Sequence, residues 1–245
     1  MLNTAEEIPI VAIDTRYWHV GTKIFDAISP HAKIIKLGLG MLHTHGHGTT
    51  LFGHTCGRAR HAGIKVLVDS KINDVPNTLS DAVNGIEWMG SWGFTYHLRN
   101  NPQAIRSIMT SRKNTLSFGV SVLSSMSVRQ CRKEFGDSPK NIVARDTRRV
   151  VHHGGGAIVS SGHENDIIRE QRGGSSLIVA NVGVYPDGTP VSPGQKRVVT
   201  PTRAIRSGAD YLIVGRSVTR APDPAYAFLK IVEEVAKAKA TLSMT

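Results

Sequence analysis

A (β/α)8 TIM barrel, formed as a single domain over residues 1–245, is the fold this sequence predicts. Three observations predict it. Eight short β-branched runs recur along the chain with helix-like segments between them, and several of the runs are almost continuously apolar, as strands of a parallel sheet buried on both faces should be. The third is at the strand exits: in such barrels chemistry gathers at the C-terminal ends of the strands, and every run here ends in a polar residue or a glycine.

In chain order, residues 8–13 lead to Asp14, 33–37 carry Lys36 and lead to Gly38, and 65–68 lead to Asp69 and Lys71. Residues 93–96 lead to His97, 117–123 to Ser124 and Ser125, 157–159 to Ser160 and Ser161, 177–180 to Asn181 and Gly183, and 211–214 to Gly215 and Arg216. Helix signals lie between them: Ser80 and Asp81 near the start of a stretch to Trp88, then Pro102, Pro201 and Pro224, each opening a periodic segment at 103–109, 202–207 and 225–239. Trp88 and Trp92, either side of Gly90, are expected to fill the layer between helices and barrel.

With about two fifths of its residues hydrophobic, the chain can bury a large core, and no apolar run approaches the ~20 residues a membrane-crossing helix needs. Glu6 and Glu7 precede Ile8, the reverse of a signal peptide's basic-then-apolar order, and Cys56 and Cys131 are too few for a disulfide framework. A cytoplasmic protein without membrane contact is expected. The net charge of +11 and pI near 10 favour anionic ligands, whether phosphorylated metabolites or nucleic acid. Arg145, Arg148 and Arg149, and a second cluster of Arg129, Arg132 and Lys133, lack the interleaved aromatics of a single-strand binding surface, so solvated helix faces are expected instead of a nucleic-acid partner.

The chemically richest stretch is Asp69-Ser70-Lys71-Ile72-Asn73-Asp74-Val75-Pro76-Asn77-Thr78. It sets an ammonium between two carboxylates at a strand exit. Asp69 and Lys71 are two apart, which puts both side chains on one face of a strand, while Asp74 lies beyond it in a stretch broken by Pro76. A surface ion-pair cluster is the plainer alternative. The loop 183–195, rich in turn formers, and Gly215-Arg216-Ser217 together suggest a phosphate grip: glycines admit backbone N–H groups, Arg216 offers a planar fork, and Gln195 could cover the ligand. His43, His45 and His47 alternate, with His54 and His61 following, but no acidic or cysteine partner completes a familiar metal spacing, so a solvated loop is expected there and no metal. His97 suits either a role at the barrel mouth or a structural hydrogen bond.

These residues resemble the orotidine 5'-monophosphate decarboxylase family. The resemblance spans most of the chain and rests on Ile10-Val11-Ala12-Ile13-Asp14, Ile35-Lys36-Leu37-Gly38, the Asp69-x-Lys71-x-x-Asp74-Val75-Pro76-Asn77-Thr78 signature, Gly194-Gln195-Lys196-Arg197-Val198-Val199-Thr200-Pro201, Gly208-Ala209-Asp210-Tyr211 and Val214-Gly215-Arg216. It implies a lyase of UMP biosynthesis that decarboxylates orotidine 5'-phosphate without metal or organic cofactor. It also implies a homodimer in which Asp74 and Thr78 reach the partner's site. The family's charged tetrad falls on Lys36, Asp69, Lys71 and Asp74, with Lys71 as the proton donor. Asp14 and Thr78 match ribose contacts, Ser125 or Ser127 the pyrimidine contact, and Gln195 with Arg216 the phosphate contacts. The chain departs from the pattern at Val182-Gly183-Val184-Tyr185, where many relatives have Pro-Gly-Ile-Arg, at Leu98-Arg99-Asn100-Asn101, which replaces a glycine-containing turn, and over residues 41–61.

Two other functions compete. A magnesium-dependent keto-sugar-phosphate decarboxylase or aldolase of the same suprafamily shares Asp-x-Lys-x-x-Asp but places an acidic metal ligand near the position of Lys36. A non-catalytic nucleotide- or RNA-binding barrel would account for the cationic surface.

Overall fold

The computed structural model describes residues 3–43, 48–191 and 194–243. Eight parallel strands close into a barrel in sequence order: β1 (Pro9–Ile13), β2 (Ile34–Gly38), β3 (Lys65–Ile72), β4 (Gly93–His97), β5 (Leu116–Val120), β6 (Ala157–Ser161), β7 (Ile178–Val182) and β8 (Tyr211–Val214). All eight predicted runs become strands. The fifth stops at Val120, three residues short of its predicted end, and just past it the Ser121 hydroxyl donates to Asp146 Oδ2 at 2.7 Å.

Side chains alternate between two cores. Val11, Ile13, Ile35, Leu37, Val66 and Val68 pack outward against the helices, whereas Ile10, Ile34, Leu67, Phe118, Val159 and Ile213 fill the barrel. This period of two carries the site residues inward. Lys36 is two residues beyond Ile34 and Asp69 two beyond Leu67, so both must point into the barrel, and Gly38 pairs with Asp69 across β2 and β3.

Aromatic rings close the opposite end. Trp92 lies 5.5 Å from Phe118 and 5.3 Å from Tyr211, ring centre to ring centre. The expectation for the two tryptophans is therefore corrected. Trp92 plugs the barrel instead of the helix layer, and Trp88, on the last turn of helix Pro76–Trp88, is 88 % exposed. The inner face of that helix is already taken by Leu79, Val83 and Ile86. The helix starts at Pro76, earlier than Ser80, because a proline in the first turn fits the helical φ and lacks an N–H that would go unpaired.

Residues 48–61 are likewise not a loop. They form helix Gly48–His61, whose buried face is Phe52, Thr55, Cys56 and Ala59 at helical spacing. His54 and His61 ride on it, His43 is exposed at the end of a short helix Leu39–Leu42, and His45 and His47 lie outside the described residues. Among the described residues no group of three or more His, Cys, Asp or Glu side chains converges, and no helix is long and apolar enough to cross a membrane.

Candidate active site

The C-terminal mouth of the barrel holds a cavity of about 370 Å³, and ten of its polar and glycine lining positions come from seven strands or their exits: Asp14, Lys36, Asp69, Lys71, Thr95, Ser124, Ser125, Gly183, Gly215 and Arg216. Gln195 reaches it from the loop that follows β7, and Ala12, Val120, Val159 and Ile213 supply apolar wall.

Asp69 is its electrostatic centre. The carboxylate is 5 % exposed, with Lys36 on Oδ2 and Lys71 on Oδ1 at 2.8 Å. Burial alone would push the carboxyl's pKa up. Lys36 first and Lys71 second more than reverse that, taking it down to about 2. A carboxyl titrating lower in the folded protein than in the unfolded chain contributes stability that is complete above the unfolded value near 3.8 and lost as pH falls through 2. Asp69→Asn is therefore expected to cost about 2 kcal/mol at pH 7 and progressively less from pH 4 to pH 2, measured by urea unfolding at each pH.

Asp69 and Lys71 meet by a route other than simple strand alternation. Between Val68 and Ile72, β3 slips register against β4, which advances only from Phe94 to Tyr96 over the same span. Lys71 sits in this bulge with φ at 47°, and it is the single non-glycine residue with positive φ among those described. That conformation costs on the order of 1–3 kcal/mol for a residue with a Cβ and persists only where surroundings enforce it. Thr95 does so by accepting the Lys71 N–H at 2.9 Å while donating to Asp69 Oδ1 at 2.8 Å. Asn100 holds the next turn: its Nδ2 donates to the Ile72 and His97 carbonyls, and its Oδ1 accepts the Asp74 N–H at 3.1 Å.

The departure at residues 98–101 is thus a brace. Arg149 donates to the carbonyls of Leu98 at 2.7 Å and Asn100 at 2.5 Å, and Arg99 pairs with buried Asp146. Arg149 is accordingly half-buried, against the expectation of a solvated face, whereas Arg145 and Arg148 are exposed as expected. His97 takes the structural option. Its Nδ1 accepts the Arg99 N–H at 3.1 Å, and burial, helped by the charges of Arg99 and Lys71, lowers its pKa.

Asp14 is seated by glycines. Its Oδ1 accepts the Gly40 N–H at 2.6 Å, and a Cβ on either Gly38 or Gly40 would come within 2.5 Å of the carboxylate. At the other end, Gly183 has φ at 72° and lies so close to Arg197 that a Cβ would be 2.6 Å from its carbonyl oxygen. This approach lets the chain zip back, with Val199 N–H donating to Gly183 O at 3.0 Å and Tyr185 N–H to Val199 O at 3.0 Å. Tyr185, at the position of the missing arginine, is 6 % exposed and lines the cavity. Gln195 Oε1 accepts from Ser124 Oγ at 3.0 Å.

Asp74, Thr78 and Ser127, three of the residues that the resemblance assigns to the site, lie outside this cavity. Asp74 and Thr78 are exposed on the chain's exterior, where the Asp74 carboxylate accepts its neighbour's Val75 N–H at 2.7 Å. The Ser127 hydroxyl caps helix Val128–Phe135 in a reciprocal box with Gln130. Ser160 and Asn181, at the ends of β6 and β7, join Asn165 in a buried hydrogen-bond network instead of facing the cavity. Conversely, Thr95, Asn100, Glu164 and Arg197 shape the site without having been singled out in the sequence for it. Arg197, 8 % exposed, donates to Glu164 Oε1 at 2.5 Å and to the carbonyls of Val122 and Leu123 at 3.0 and 3.3 Å, while Ser161 holds the other Glu164 oxygen at 2.7 Å. No motif marks the contacts of Thr95 with Lys71, Asn100 with Asp74 and Arg197 with Glu164, which join residues 24, 26 and 33 apart in the chain.

The family model described as orotidine 5'-phosphate decarboxylase / HUMPS family matches residues 8–231. A Vibrio atlanticus (strain LGP32) protein named orotidine 5'-phosphate decarboxylase is 33 % identical over 229 residues, covering 91 % of this chain and 95 % of its own. One of the same name from Methylobacterium sp. (strain 4-46) is 32 % identical over 235 residues, covering 94 % and 95 %. The crystal structure of orotidine 5'-phosphate decarboxylase from Lactobacillus acidophilus superimposes with a TM-score of 0.75 at 22 % identity, covering 94 % of this chain and 99 % of that one, which is agreement in fold.

Proposed function

The chain belongs to the orotidine 5'-phosphate decarboxylase / HUMPS family, and from that premise we propose that it is a carboxy-lyase converting orotidine 5'-monophosphate to UMP without metal or organic cofactor. The observation that carries this reading is the buried Asp69 carboxylate clamped between Lys36 and Lys71 on the wall of the cavity at the barrel mouth.

The chemistry calls for such a site. When the C6–carboxylate bond breaks, CO₂ leaves and the electron pair stays in the ring plane at C6, where the π system delocalises it poorly. Fixed charges in a low-dielectric pocket must then supply most of the stabilisation. Lys71, with its side chain one third exposed towards the cavity, stabilises the developing carbanion and delivers an Nζ proton to C6, regaining a proton from solvent afterwards. Lys36 holds Asp69 in place. Asp14 binds the ribose and Ser125 the pyrimidine. Gln195, whose carbonyl is occupied by Ser124, offers its amide N–H groups to the phosphate beside Arg216, Gly183 and Gly215. With Tyr185 in place of an arginine, Arg216 is the cationic anchor of that end.

The exterior position of Asp74 and Thr78 fits a homodimer in which each chain lends both residues to the other's cavity. Both cysteines among the described residues are buried thiols without a disulfide, which suits a reducing compartment, and we place the enzyme in the cytoplasm.

Orotidine 5'-monophosphate absorbance is expected to fall as UMP forms, at a rate unchanged by EDTA. Absence of turnover by the folded protein overturns the proposal, and loss of activity in EDTA with recovery in magnesium reassigns it to keto-sugar-phosphate chemistry.

A further inference from the structure

Thr95 is the residue through which β4 controls the chemistry of β3. It is 1 % exposed on the inner face of β4, its neighbours Phe94 and Tyr96 packing outward, and its one hydroxyl joins two separate parts of the site. As donor it meets Asp69 Oδ1 at 2.8 Å, the same oxygen that Lys71 Nζ reaches at 2.8 Å. As acceptor it takes the Lys71 backbone N–H at 2.9 Å, at the residue whose φ of 47° makes the bulge.

We propose that Thr95 is a positioning residue: its hydroxyl locks the β3 bulge and so sets the Lys71 ammonium against Asp69, acting through those two groups instead of on the substrate. Without it the bulge has one fewer anchor and a buried N–H loses its acceptor. The Lys71 backbone can then relax towards ordinary extended geometry, which swings the ammonium out of register with Asp69. Valine tests this cleanly because it keeps the β-branched shape and removes both hydrogen bonds, while serine keeps both bonds and drops only a methyl group. The kinetic arm rests on the decarboxylase reading.

Thr95→Val is expected to lower kcat by about 10- to 100-fold, the loss of one or two buried hydrogen bonds at the reacting centre, with KM changed by less than about 3-fold because the phosphate grip is untouched. Thr95→Ser is expected to return kcat to within about 3-fold of the parent. A merely structural threonine would lower thermal stability and leave kcat per folded molecule alone. A second arm needs no substrate: the Lys71 amide, followed by NMR, is expected to exchange with deuterium at least about 10-fold faster in Thr95→Val than in the parent, and serine to restore protection. Should valine fail to fold, Thr95→Ala, which opens space where valine fills it, carries the same expectations. A parent that protects the Lys71 amide but turns over no orotidine 5'-monophosphate sinks the decarboxylase reading and leaves Thr95 to the exchange arm. A Thr95→Val protein that matches the parent in kcat and in Lys71 exchange overturns the Thr95 proposal itself.

Discussion

Lys71→Ala is expected to slow conversion of orotidine 5'-monophosphate by at least about 10³-fold while leaving the fold intact. At an effective dielectric near 20, two unit charges ~4 Å apart interact by roughly 4 kcal/mol, which is about three orders of magnitude in rate, and loss of a positioned proton donor adds typically 10²- to 10⁴-fold. The protein should survive the change. Lys71 is the more exposed of the two ammonium groups on Asp69, with a side chain 33 % exposed against 8 % for Lys36, and Asp69 keeps Lys36 and Thr95 as partners. Single-turnover absorbance together with circular dichroism checks both halves of the expectation. A folded Lys71→Ala protein within 10-fold of the parent would falsify the proton-donor role.

Arg197→Met is expected to cost about 3–5 kcal/mol in urea unfolding, the range found when one partner of a buried ion pair is removed. Arg197 and Glu164 are 8 % and 3 % exposed, so truncating the arginine strands a carboxylate whose remaining partner is Ser161. It also releases the Val122 and Leu123 carbonyls, and with them the segment that carries Ser124 and Ser125 into the cavity. KM is therefore expected to rise alongside the loss of stability. The Arg197→Met/Glu164→Leu double variant should be less destabilised than the sum of the two single ones, because the penalty lies mainly in leaving one charge behind. A cost below about 1 kcal/mol for Arg197→Met would show that the pair is dispensable.

How far the site could be read beforehand differs from residue to residue. Lys36 and Asp69 were legible as charged residues at strand exits and as positions of the family's signature, and the structure adds that strict alternation, with Ile34 and Leu67 inside the barrel, turns both inward. Lys71 was legible as a partner of Asp69, although by the wrong geometry: the alternation that would put it on the same face is broken by the bulge, and a positive φ achieves the meeting instead. Helix Gly48–His61 was hidden by its glycines and histidines, which mask a four-residue buried stripe in a segment of low overall hydrophobicity. Trp88 misled because a large ring is usually packed, and nothing in its own neighbourhood reveals that Leu79, Val83 and Ile86 have already filled the inner face.

By itself, the sequence determined the eight-stranded barrel and the mouth at which polar groups collect, because these follow from short-range periodicity, while its resemblance to the family marked Lys36, Asp69 and Lys71 as one group. Only the tertiary structure decided that Thr95 ties Lys71 to Asp69, that Asn100 and Arg149 brace the neighbouring turn, and that Arg197 serves Glu164 and two carbonyls within the scaffold. The physical reason is range. Hydrogen bonds act over about 3 Å in space with no regard to separation along the chain, so a threonine 24 residues from its lysine or an arginine 33 from its glutamate carries no local mark of the partner that closure of the barrel will bring to it.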